Sequence, residues 1–129
     1  MSRTVTIPVL RLSGSQNARE HWRKRAARTK RERGIARLLC SVMDRPQRWP
    51  VVVTITRIGP RKLDDDNLAA SCKAVRDGVA DALGVDDGDE SKVLWAYAQE
   101  KGPYAVRIEW TYCLIRVDLR HDCLECNPP

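Results

Sequence analysis

Residues 51–84 read VVVTITRIGPRKLDDDNLAASCKAVRDGVADALG, and the pattern changes three times along them. Val51 to Ile58 is dense in β-branched residues and stops at Gly59-Pro60, which is how a strand reads. After residues 59–62 come Leu63 and three successive carboxylates, Asp64, Asp65 and Asp66, then Asn67. Asp66 or Asn67 can cap a helix over 68–83 whose apolar side is Leu68, Cys72, Val75, Val79, Ala82 and Leu83, and Gly84 ends it. A strand therefore delivers an acidic loop to the start of a helix, and the rest of the chain is read around that unit.

Upstream, residues 4–12 form a first strand, placed at an edge or a bulge by Pro8. Ser13-Gly14-Ser15-Gln16-Asn17 breaks it. From Ala18 to Cys40 strong helix formers run without proline, with a narrow apolar stripe through Trp22, Ala26, Ala36 and Leu39. Pro46 and Pro50 bracket a loop before the second strand. Downstream, Asp86-Asp87-Gly88-Asp89-Glu90 is a second acidic loop. Residues 92–101 and 104–117 then alternate around Gly102-Pro103, the pattern of a β-hairpin. The order β-α-β-α-β-β predicts one α+β domain over residues 1–117, with a mixed sheet and two helices, and a polar tail over 118–129.

A chain of 129 residues has room for one core. Its 43% apolar and 31% charged composition, with seven Gly and seven Pro, excludes collagenous and wholly disordered chains. No run approaches the roughly 18 apolar residues that span a bilayer, and the first residues lack the apolar core of a signal peptide, so a cytoplasmic protein is expected. Charge is divided unevenly. Residues 1–62 carry 16 Lys and Arg against 3 Asp and Glu, whereas residues 63–129 carry 7 against 14. Such polarity suits a polyanionic partner held by the basic half.

The acidic run carries the chemistry. Adjacent carboxylates push one another toward protonation unless a cation neutralises them, and a hard divalent ion does so well. Mg²⁺ is held by one or two carboxylates with water and substrate phosphate, so acids beside a basic surface suit metal-dependent phosphodiester cleavage. An inert, Asp-rich helix start favoured by the helix dipole is the alternative. Asp86-Asp87 beyond the helix adds a second acidic cluster. Lys73 and Asp77 lie on the helical face that continues from Asp66 through Ala70, where a lysine could neutralise phosphate charge or simply pair with Asp77. No Ser-His-Asp or Cys-His arrangement and no glycine-rich phosphate cradle is evident.

From the Ser15-Gln16-Asn17 and Trp22 region through residues 92–117, the chain resembles the RusA-type Holliday-junction resolvases. The likeness is most specific at two Asp one residue apart, followed by Asn-Leu, a helix and a paired Asp. It implies that Asp64, Asp66 and Asp87 are catalytic acids binding Mg²⁺, with Mn²⁺ as a substitute. The family also has a lysine four residues after the second Asp; that position is Ala70 here, and Lys73 is the nearest candidate. Asp86 and Asp89 compete with Asp87 for the third place. The resemblance further implies a homodimer acting on branched DNA.

Distance points the same way. A helix over 68–83 is about 24 Å long and the four residues after it return at most ~14 Å, which separates Asp66 from Asp87 and calls for a second subunit to complete each site. Phosphate contacts fall to Arg23, Lys24, Arg28, Lys30 and Arg31 on the basic helix, with Trp22 as a candidate stacking platform. Two other readings stand beside the nuclease. One is a branched-DNA-binding module that does not cut; the other is zinc binding by His121, Cys123 and Cys126, which offer one ligand fewer than a closed site needs.

Overall fold

The central strand is β2, Val51–Gly59, with a hydrogen-bonded neighbour on either side. The computed structural model describes residues 3–12 and 22–113, and around β2 it arranges six further elements. These are β1 (Thr4–Pro8), α1 (Trp22–Cys40), α2 (Asp65–Ser71), α3 (Lys73–Leu83), β3 (Val93–Lys101) and β4 (Ala105–Tyr112). The sheet order is β1-β4-β2-β3, parallel between β2 and β3 and antiparallel elsewhere. The expected α+β domain with a mixed sheet is what forms, with three helices among the described residues instead of two.

Two expectations are corrected. Residues 92–101 and 104–117 do not make a hairpin, because β2 lies between β3 and β4. The three residues linking them pass around the end of β2, where Gly102 N donates to the Gly59 carbonyl at 3.1 Å. Two strand spacings are ~10 Å, within the ~14 Å that four Cα steps can cover. Alternation reveals strands, but it does not say which strand lies beside which. The parallel β2–β3 pair instead follows from the helical crossover between them.

The second correction is in that crossover. One helix over 68–83 was expected, but α2 ends at Ser71 and α3 begins at Lys73, with Cys72 as the junction. Ser71 turns its hydroxyl back onto the Leu68 carbonyl at 2.7 Å, an alternative to the helical ladder that serine readily offers. The cap also shifts: Asp64, not Asp66 or Asn67, accepts from the Asn67 amide at 2.9 Å. Gly84 closes α3 at φ 71°, ψ 33°, the left-handed turn that glycine adopts without a Cβ penalty.

Register puts Val51, Val53 and Ile55 on one face with Val93, Trp95 and Tyr97 of β3 and Tyr112, Trp110 and Ile108 of β4. This face packs with Ala36, Cys40, Val75, Val79 and Leu83 of the helices to form the core. Only the second half of α1 takes part. Its buried positions are Glu32, Ala36 and Cys40, while Trp22 and Ala26, both expected in the apolar stripe, are exposed. Among the described residues no helix is long and apolar enough to cross a membrane.

Candidate functional site

The Asp64–Asp66 loop is tied to β3. Gln99 accepts from the Leu63 amide at 3.0 Å and donates to the Leu63 carbonyl at 2.8 Å, holding the residue before the acids by both of its backbone groups. Asp64 then caps α2 through Oδ1, and Asp65 and Asp66 occupy its first turn, all three exposed to solvent. Acidic side chains are stabilised there by the amides at the helix start.

The second acidic loop returns along α3. Asp87 Oδ2 accepts from Lys73 Nζ at 3.1 Å and from Arg76 Nε at 3.0 Å. Lys73 also donates to Asp77 at 2.8 Å, so the pair spaced four residues apart forms and is extended to a third charge. Trp95 Nε1 donates to the Asp87 carbonyl at 2.8 Å, which attaches this loop to β3 four residues from Gln99. The two attachment points are therefore about 13 Å apart on one side of one strand.

The path between the two acidic loops differs from the one expected. The acids were expected at opposite ends of a 24 Å helix. In fact α3 has 11 residues, about 16 Å, and Asp87 lies beside its first two turns. Both acidic loops of one chain thus flank the same strand. Asp89, the competitor for the third place, accepts from the Ser91 amide and hydroxyl and closes the turn into β3. Asp86 accepts from the Gly88 amide and lines a groove of about 230 Å³ with Arg33, Asp77, Asp81 and Asp87.

Charge is matched closely here. The Asp87 carboxyl is held below the usual carboxylate range, chiefly by the hydrogen bond from Lys73, with the charges of Lys73 and Arg76 adding to it against the opposing effect of burial. Lys73 is raised, first by its hydrogen bond to Asp77. It is therefore a cation at neutral pH. The two buried thiols offer no nucleophile: burial pushes Cys40 up to about 12 and Cys72 up to about 11. Carboxylates are the right kind of donor for a hard divalent ion. Among the described residues, however, no three His, Cys, Asp or Glu side chains gather at one point.

Basic residues that sequence reading missed lie beyond the first loop. Arg61, Lys62 and Lys101 line a groove of about 450 Å³ between the Gly59–Lys62 and Gln99–Lys101 segments. Arg57, only 5% exposed, supports it from below by donating to the Arg61 carbonyl at 2.8 Å. Arg76, Trp95, Tyr97 and Gln99 were missed as well. Trp95, Tyr97 and Gln99 share a parity along β3, a signal that could have found them. On α1, Arg23, Lys24, Lys30 and Arg31 are exposed and Arg28 is partly exposed, with Glu32 3.8 Å from its Nε. The Arg23 guanidinium lies 5.2 Å from the centre of the Trp22 ring. His121, Cys123 and Cys126 are outside the described residues.

No protein-family model matches the chain. An uncharacterized protein of Xylella fastidiosa is similar to it, 37% identical over 94 residues. The match covers 65% of this chain and 60% of the length of that relative.

Proposed function

We propose that the chain is a metal-dependent endodeoxyribonuclease of the RusA type, which resolves four-way DNA junctions in recombination and repair. The observation that carries this reading is the bracketing of β3. One side of that strand supports the Asp64–Asp66 loop through Gln99 and the Asp87 loop through Trp95, with Arg61, Lys62 and Lys101 beyond one and Lys73 and Arg76 against the other. Asp64, Asp66 and Asp87 are the residues that would hold Mg²⁺ or Mn²⁺. Their hard oxygens fit such an ion in kind, and when bound it supplies a more acidic water and neutralises phosphate charge.

The remaining work falls to the chain itself. Lys73, kept protonated by its carboxylate neighbours, acts as a cation toward a phosphate oxygen and not as a base. It takes the role of the family lysine whose position is Ala70 here. Arg23, Lys24, Arg28, Lys30 and Arg31 of α1 and the Arg61–Lys62 groove contact the DNA backbone without reading sequence, and Trp22, 68% exposed, offers a face for an unpaired base. Paired nicks need two sites, which a two-fold homodimer supplies, with acids of both chains completing each site. Such an enzyme works in the cytoplasm of a bacterial cell, as a host or phage product.

Labelled four-way junctions with Mg²⁺ test the reading. Wild type gives paired symmetric nicks, whereas Asp66→Asn binds the junction and leaves it intact. Equal nicking by the variant removes the assignment. A second reading, a branched-DNA-binding module that does not cut, is favoured by the Asp87 carboxylate already being compensated by two cations. Junction binding without product in either Mg²⁺ or Mn²⁺ selects it.

A further inference from the structure

Arg76 joins three elements of the candidate site. From α3 its Nε donates to Asp87 Oδ2 at 3.0 Å and its Nη2 to the Asp87 carbonyl at 3.1 Å, a two-point grip on side chain and backbone of one residue. Its Nη1 donates to the Tyr97 hydroxyl on β3 at 2.9 Å. The guanidinium also lies 4.9 Å from the centre of the Trp95 ring, whose indole donates to the same Asp87 carbonyl. A planar fork with its donors at fixed angles, braced by a hydroxyl and an aromatic ring, has little freedom to swing, so the carboxylate that it grips has little either.

We propose that Arg76, braced by Tyr97 and Trp95, is the positioning residue that fixes the Asp87 carboxylate for cation binding. The inference rests on the reading of Asp87 as a metal-binding acid. Lys73 differs from Arg76: it meets Asp87 through one donor on a flexible stem and is more exposed, so it compensates charge without setting direction.

Two variants keep the charge and remove the orientation. Arg76→Lys loses the fork, and Tyr97→Phe loses only the brace, leaving a hydrophobic ring in place. The full chain is titrated with Mn²⁺ by calorimetry, its fold is checked by circular dichroism, and hydrogen exchange of the Trp95 indole N–H is followed by NMR. Partners that orient a metal-binding carboxylate are typically worth 10- to 100-fold in affinity. The expected result is folded protein that binds Mn²⁺ about tenfold more weakly in both variants, with faster indole exchange. Mn²⁺ affinity equal to wild type in both folded variants overturns the positioning role. If instead Asp87→Asn binds Mn²⁺ as wild type does, or wild type binds none, the reading of Asp87 itself falls and the inference with it; indole exchange then still reports whether the clasp holds the loop.

Discussion

A β-carbon at Gly78 would lie 2.3 Å from the Arg33 carbonyl oxygen, 2.8 Å from the Ala36 methyl and 3.0 Å from the Arg37 nitrogen. Two of these three obstacles are backbone, so α1 would have to move bodily away from α3 to admit a methyl group. The same close approach lets Arg33 reach Asp81 with two hydrogen bonds, at 2.7 and 2.9 Å, and sets the second half of α1 over the core. Gly78→Ala is therefore expected to destabilise the fold by about 1–3 kcal/mol, the usual cost of overpacking, despite the better helix propensity of alanine. Urea unfolding measures it, and an unchanged midpoint would mean that the helices separate without cost. No rule of sequence marks this glycine: Gly34, in α1, has nothing within 4 Å of the same added atom.

Elements were legible where their signal is local. The strands over 51–58 and 92–101 came within a residue of β2 and β3, since β-branched runs and alternation are properties of the segment alone. Strand neighbours were not legible, because β2 inserts between two strands that adjoin in sequence. The helix break at Cys72 was hidden too, since the apolar period continues through it. The site divides in the same way. Asp64, Asp66 and Asp87 advertise themselves as runs of like charge, and Lys73 by its offset from Asp77. Arg76 and Trp95 meet Asp87, and Tyr97 meets Arg76, only through tertiary return of the loop. Element α1 carries a prediction of its own. Residues 22–31 are exposed on nearly every side, so their cations are presented and not packed. Replacing Lys30 and Arg31 by Ala should flatten the logarithmic salt dependence of junction binding, measured without metal, by about 0.9 for each DNA phosphate that the variant no longer neutralises. An unchanged slope would move the DNA path off this helix.

At the scale of the molecule, ionic ties among the described residues join parts remote in sequence: Arg33 to Asp81 links α1 to α3, and Lys73 with Arg76 to Asp87 links α3 to the loop before β3. Both carboxyls are held below their ordinary range, Asp81 chiefly by the hydrogen bond from Arg33 and Asp87 chiefly by that from Lys73. A carboxyl lowered by folding binds its proton more readily in the unfolded chain. Its contribution to stability is thus complete above the ordinary carboxylate range, near pH 4, and is lost as pH falls below it through the depressed value. Between about pH 7 and about pH 5 these ties should leave stability level. Toward about pH 3 wild type should weaken, while Asp81→Asn, already without its tie, should weaken less, so that the two urea midpoints converge. Convergence on the alkaline side instead would contradict the assignment, because neither carboxyl changes its charge there. The ties on α3 also link the fold to the proposed chemistry. A cation arriving at Asp87 meets Lys73 and Arg76 on Oδ2, whereas Asp81 pairs with Arg33, so Asp81→Asn should leave Mn²⁺ binding intact while lowering stability at neutral pH, which separates the scaffold from the site in one comparison.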